Sequence, residues 1–178
     1  FYVFVYTMWL KRRTPQNIVI GGAAGAFPPM VGWAAVTGGV SLESIVLFAI
    51  IFIWTPPHFW ALALYRNEDY QRAGVPMLPV VAGLKETRRQ ILIYSLILAP
   101  VTLTPWFIGM SSWLYGLAAG SLGLVFIGFA LAVWREGEGD KSLDKAQRLF
   151  GFSILYLFLI FVLLVADRLV AMHLGGLV

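Results

Sequence analysis

Long apolar runs, separated by short charged stretches, set the pattern of this chain. Five of them, residues 16–36, 42–65, 91–110, 113–134 and 149–170, have roughly the 20 residues a helix needs to cross about 30 Å of hydrocarbon. A sixth, residues 1–10, is too short to span and reads as the tail of a helix that begins upstream. The chain is thus expected to be a piece of a longer protein, an all-α polytopic transmembrane helical bundle with no internal repeat and no second domain. The composition agrees: 60% of residues are hydrophobic and only 12% charged, against roughly 25% charged in a soluble domain. No secretory leader is visible, and zero cysteines exclude disulfides, thiolate catalysis and Cys-ligated metal within these residues.

Charge placement gives the expected topology. Twelve of the thirteen Lys and Arg residues fall in alternate connections: Lys11, Arg12 and Arg13; then Arg66, Arg72, Lys85, Arg88 and Arg89; then Arg135, Lys141, Lys145 and Arg148. Such loops face the cytoplasm by the positive-inside rule, which puts the C-terminus on the outer side. The net charge of +4 is accounted for in this way, without a nucleic-acid partner. The second charged connection, residues 66–90, is long and carries Gly74-Val75-Pro76-Met77-Leu78-Pro79, so it reads as a structured cap. The third, residues 135–148, reads as a solvated connector, and Asp167 with Arg168 as a pair at the outer interface. His173 lies on that side too, and no role is expected of it.

Candidate chemistry gathers where the second run meets its charged loop. On an uninterrupted helix, Trp54, His58, Ala61 and Asp69 each lie within roughly 40° of Tyr65, with Glu68 about 60° from it. Ionisable groups aligned on a bilayer helix are expected to face a polar cavity. Pro28-Pro29 and Pro56-Pro57 interrupt two spans and are expected to kink them. The run Gly21 to Ala26 allows close helix packing or leaves room for a bulky ligand. Lys11, Arg12 and Arg13, followed by Asn17 at the next helix start, serve as a topology anchor or as an anion cradle. With Glu68 and Asp69 at the same membrane level, the set suits a diphosphate bridged by Mg²⁺, although further carboxylates from elsewhere are needed. Tyr65 is an interfacial aromatic or a hydrogen-bond donor to phosphate. His58 is a functional residue, or it satisfies a backbone carbonyl freed by the proline pair at Phe52 or Ile53.

Four separated stretches bear a resemblance. They are Tyr6 to Gly22, with Lys11-Arg12-Arg13-Thr14-Pro15-Gln16-Asn17 at its centre; Ala26-Phe27-Pro28-Pro29-Met30-Val31-Gly32-Trp33; Trp54-Thr55-Pro56-Pro57-His58-Phe59-Trp60; and Asp69-Tyr70 followed by Ala73-Gly74-Val75-Pro76-Met77-Leu78-Pro79. In that order they resemble the protohaem IX farnesyltransferases, within the UbiA-type intramembrane prenyltransferases, over essentially the whole chain. The resemblance implies the C-terminal part of a nine-helix fold whose first helices and first acidic motif lie upstream. It implies farnesyl transfer from farnesyl diphosphate to a vinyl group of haem b, with Mg²⁺ as cofactor and haem as substrate. It also implies a bacterial inner membrane, with haem A synthase or the oxidase assembly machinery as neighbours. Tyr65 and Asp69 then resemble a second acidic motif with catalytic roles, Glu68 and Asp69 partial metal ligands, and Lys11, Arg12, Arg13 and Asn17 diphosphate contacts. His58 and Trp54 become candidates for haem contact. Trp54, Phe59 and Trp60 suit a dry chamber that shields an allylic cation. Two other readings are a UbiA-type enzyme acting on an aromatic quinone precursor and a membrane transporter. A transporter predicts inverted repeats and polar groups at mid-span, and neither is visible.

Overall fold

The structure is a computed structural model that describes residues 17–74, 76–136 and 144–175, with only the backbone of Asn17, Leu174 and Gly175. Seven helices follow one another: α1 (Asn17–Thr37), α2 (Leu42–Tyr65), α3 (Asn67–Arg72), α4 (Leu78–Val81), α5 (Gly83–Phe107), α6 (Trp113–Trp134) and α7 (Asp144–Gly175). Five of them are long and apolar enough to cross a membrane, and there is no strand among the described residues.

Four of the long helices close a ring, in which α2 packs on α5, α5 on α6, α6 on α7 and α7 back on α2; α1 lies against α2 outside it. The ring's interior is aromatic but not wholly apolar. Tyr115 and Tyr156 are 1% and 0% exposed, and each hydroxyl needs a partner there. Both find Thr102 on α5. Tyr115 Oη donates to its carbonyl at 2.8 Å, and the Tyr156 and Thr102 hydroxyls lie 2.9 Å apart. Phe126 stands edge-on to Tyr156 at 4.9 Å.

At the α1–α2 contact, Gly22 of the small-residue run serves packing. A Cβ placed on Gly22 would sit 2.7 Å from Thr55 Cγ2, so glycine sets how closely the two helices approach. Both proline pairs lie inside continuous helices. Near the second pair, the Thr55 hydroxyl donates to the Ile51 carbonyl at 2.8 Å.

The second charged connection is structured, as expected: α4 packs against α2 and α5 with Met77 and Pro79 buried, and α3 touches α2 and α4, although Arg66 and Asp69 stay more than half exposed. The connection ends earlier than the sequence suggested, because α5 is already helical at Gly83. Within the first two turns, Glu86 accepts from Gln90 at 2.7 Å and from Arg89 at 3.4 Å, the i,i+4 and i,i+3 pairs that support an exposed helix.

Two other expectations change. The start of the third charged connection is not solvated. Glu136 lies buried against Arg88 of α5, whose Nη1 donates to its carbonyl at 2.7 Å and whose Nη2 is 3.6 Å from its carboxylate. Lys145 Nζ of α7 approaches the same carboxylate at 3.9 Å, so one buried acid joins three helix ends. At the opposite end of the bundle, Asp167 reaches across to α6. Its carboxylate accepts from the Ser112 N–H at 2.8 Å and from the Ser112 hydroxyl, fixing the residue that caps α6.

Candidate functional site

The second half of α2 carries the candidate residues in two zones, one inside the bundle and one beyond it. In the inner zone, His58 is 8% exposed and packs on α7. Its ring is stacked between Trp54, centroids 4.2 Å apart, and Phe150 at 4.7 Å, with Phe59 edge-on at 5.1 Å. Its Nδ1 lies 2.7 Å from the Ser153 hydroxyl. The indole N–H of Trp54 donates to the Ser153 carbonyl at 2.8 Å. The stripe therefore faces a tight aromatic contact with another helix rather than an open polar cavity. The partner of His58 is a side chain of α7 and not a carbonyl released by Pro56 and Pro57. Beside this contact, Trp54 also walls an apolar groove of about 730 Å³ between α2 and α7, together with Ile51, Ile154, Leu157 and Phe158.

The outer zone does not continue the same helix. α2 ends at Tyr65, Arg66 takes a non-helical φ of −108° and ψ of 24°, and α3 begins at Asn67. Asp69 is thus not in angular register with His58, as an uninterrupted helix would place it. It is instead bonded to Arg66, whose Nη1 donates to Oδ2 at 3.1 Å. The Arg66 guanidinium also lies over the Tyr65 ring, 5.0 Å from its centroid. The hydrogen bond to Asp69, followed by that to Tyr65, pushes Arg66 further above the ordinary arginine range. Glu68 pairs with Arg72 at 3.4 Å, and both of those side chains are exposed. Tyr65 and Asp69 are thus linked through Arg66, whose guanidinium meets the ring of one and the carboxylate of the other.

Glu68 and Asp69 offer hard oxygen donors at an accessible surface, and Mg²⁺ is held by one or two carboxylates together with substrate phosphates. These two residues fit such a partial site. Among the described residues no cluster of three or more His, Cys, Asp or Glu could hold a metal alone. Lys11, Arg12 and Arg13 lie outside the described residues. Asn17 opens α1, and its side chain is likewise not described.

Sequence reasoning missed Ser153 and Phe150, which sit in a run that reads simply as an apolar span. A lone serine amid Phe150, Gly151, Phe152 and Ile154 was the available signal, since a hydroxyl in such a run needs a partner. It also counted Arg66 and Arg88 as topology charges. The i,i+3 spacing of Arg66 to Asp69 could have revealed the first.

Residues 1–155 match the UbiA prenyltransferase family. Among curated proteins, the chain is 65% identical over 176 residues to "Protoheme IX farnesyltransferase" of Parvibaculum lavamentivorans, covering 99% of this chain and 55% of that protein. It is 60% identical over 178 residues to "Protoheme IX farnesyltransferase 2" of Mesorhizobium japonicum, covering 99% and 57%. It is 61% identical over 170 residues to "Protoheme IX farnesyltransferase" of Azorhizobium caulinodans, covering 96% and 55%. The chain therefore spans about half the length of these relatives. No solved structure matches it. With a family match over most of its length and five helices apolar enough to span a bilayer, this multi-pass membrane chain belongs to the UbiA prenyltransferase family.

Proposed function

We propose that the protein transfers the farnesyl group of farnesyl diphosphate to a vinyl group of protohaem IX, with diphosphate leaving and water adding to the other vinyl carbon, giving haem O for terminal oxidases. The observation that carries this reading is the 60–65% identity, over nearly the whole chain, to relatives that bear that activity in their names. In this reading residues 1–178 are one part of a single prenyltransferase domain, completed by an N-terminal part with the first acidic motif. The enzyme sits in the bacterial inner membrane with its charged connections cytoplasmic and its C-terminus periplasmic.

The roles divide along the two zones. At the charged end, Asp69 and Glu68 are partial ligands of Mg²⁺, and Tyr65 donates a hydrogen bond to a diphosphate oxygen. Lys11, Arg12, Arg13 and Asn17 take up the remaining diphosphate charge. When bound, the metal neutralises charge building on the leaving group. The residues of this chain bind and orient the diphosphate at the membrane surface, while Trp54, Phe59 and Trp60 keep water from the allylic carbon. In the inner zone, His58 and Trp54 contact the haem. Haem A synthase or the oxidase assembly machinery would take the product onward.

Asp69→Asn tests the outer zone, because the amide removes the charge at nearly constant shape. In the full-length enzyme, haem O formation in membranes should drop below about a tenth of the parent's, with insertion and folding unchanged. Activity above that level would remove Asp69 from the diphosphate site. The quinone-precursor alternative is tested in the same membranes by offering an aromatic acid acceptor, which should not be prenylated.

A further inference from the structure

Ser153 is fully buried, at 0% exposed, within α7. Its hydroxyl has one proton to give. That oxygen lies 2.6 Å from the Phe150 carbonyl, which can only accept, so the proton is committed there. His58 Nδ1, 2.7 Å from the same oxygen, must then be the donor of the second bond. In the neutral imidazole this places the single ring proton on Nδ1 and leaves the lone pair on Nε2.

The surroundings restrict how a ligand meets that ring. Trp54 and Phe150 cover its two faces, with interplanar angles of 19° and 24°. Nδ1 is spent on Ser153. With both faces covered and Nδ1 bonded, the ring nitrogen left to meet a ligand is Nε2, whose lone pair lies in the ring plane and suits an electron-pair acceptor rather than a stacking partner. The backbone carbonyl of Ser153 meanwhile holds the Trp54 indole, so one residue of α7 fixes both side chains.

We infer that Ser153 is a positioning residue. Its hydroxyl holds His58 in the Nδ1–H tautomer and presents the Nε2 lone pair to the iron of a metalloporphyrin. This rests on the reading that haem is the acceptor substrate. The pattern is that of metal-bound imidazoles, whose second nitrogen is held by a hydrogen bond that fixes orientation and raises basicity.

The test uses the full-length enzyme in nanodiscs titrated with haem b, read by haem affinity and by the iron–histidine vibration of the ferrous form. The parent should show that vibration, and His58→Ala should abolish it. Ser153→Ala should lower its frequency and weaken haem binding by roughly 10–100-fold. Ser153→Thr, which keeps the hydroxyl, should restore both. Should Ser153→Ala fail to accumulate, Ser153→Cys, a weaker acceptor, should give an intermediate frequency. KM for farnesyl diphosphate should not change in any of these variants. A lowered denaturation midpoint with an unmoved vibration would make Ser153 structural only and overturn the inference. Haem binding that is indifferent to His58→Ala would overturn it while leaving the acceptor reading intact. A parent that binds no haem would sink that reading and the inference together.

Discussion

At the scale of single residues, the charged end is a set of exchanges. Asp69 meets Arg66 across 3.1 Å, and both side chains are more than half exposed. Exposed pairs of this kind are screened and add little to stability. Arg66→Gln should therefore leave the denaturation midpoint in detergent unchanged. In the proposed reading it should lower the Mg²⁺ concentration needed for half-maximal activity, because the metal no longer competes with a guanidinium for Asp69. A magnesium titration of haem O formation checks this, and an unchanged requirement would mean that Arg66 and the metal do not share the carboxylate. The i,i+3 spacing that makes this pair was readable in the sequence. The partner of His58 was not, because it lies 95 positions away and depends on how two distant helix faces meet. Hydropathy gives the existence of α7 but not its rotation.

Among elements, the five spans were legible because a bilayer demands long apolar runs and little else supplies them. Their ends were less so. The apolar run begins at Ile91, yet α5 starts at Gly83. Lys, Glu, Arg and Gln are good helix formers, and nothing makes a helix stop where the lipid does. The same extension at Asp144 of α7 brings Lys145 to Glu136. The result is a buried join of α5, α6 and the start of α7, where the Arg88 and Glu136 side chains are 7% and 2% exposed. Removing one partner of a buried pair leaves an uncompensated charge. Arg88→Met should destabilise the bundle by about 3 kcal/mol, seen as a lowered denaturation midpoint in detergent. The double variant Arg88→Met with Glu136→Leu should recover most of that loss. If the single variant is as stable as the parent, the join carries no structural load.

For the whole molecule, orientation rests on many cations at once. Replacing Lys11 and Arg12 with Gln leaves Arg13 and the later charged connections in place, so the bundle should insert in the same direction. If the pair also contacts diphosphate, KM for farnesyl diphosphate should rise or kcat should fall, with haem affinity unchanged. Reporter fusions at the C-terminus and donor kinetics separate the two, and normal donor kinetics would make the pair an anchor alone. The ring of helices has a further consequence in time. α7 closes on α2, so the serine that receives His58 and Trp54 is synthesised 95 residues after the histidine and 99 after the tryptophan. At about 5–20 residues per second, that is an interval of roughly 5–20 s. Throughout it an imidazole and an indole N–H wait in the bilayer without the partner they end with. The contact between His58, Trp54 and Ser153 is thus completed only when α7 arrives, and a chain halted before α7 would lack the serine that receives both side chains.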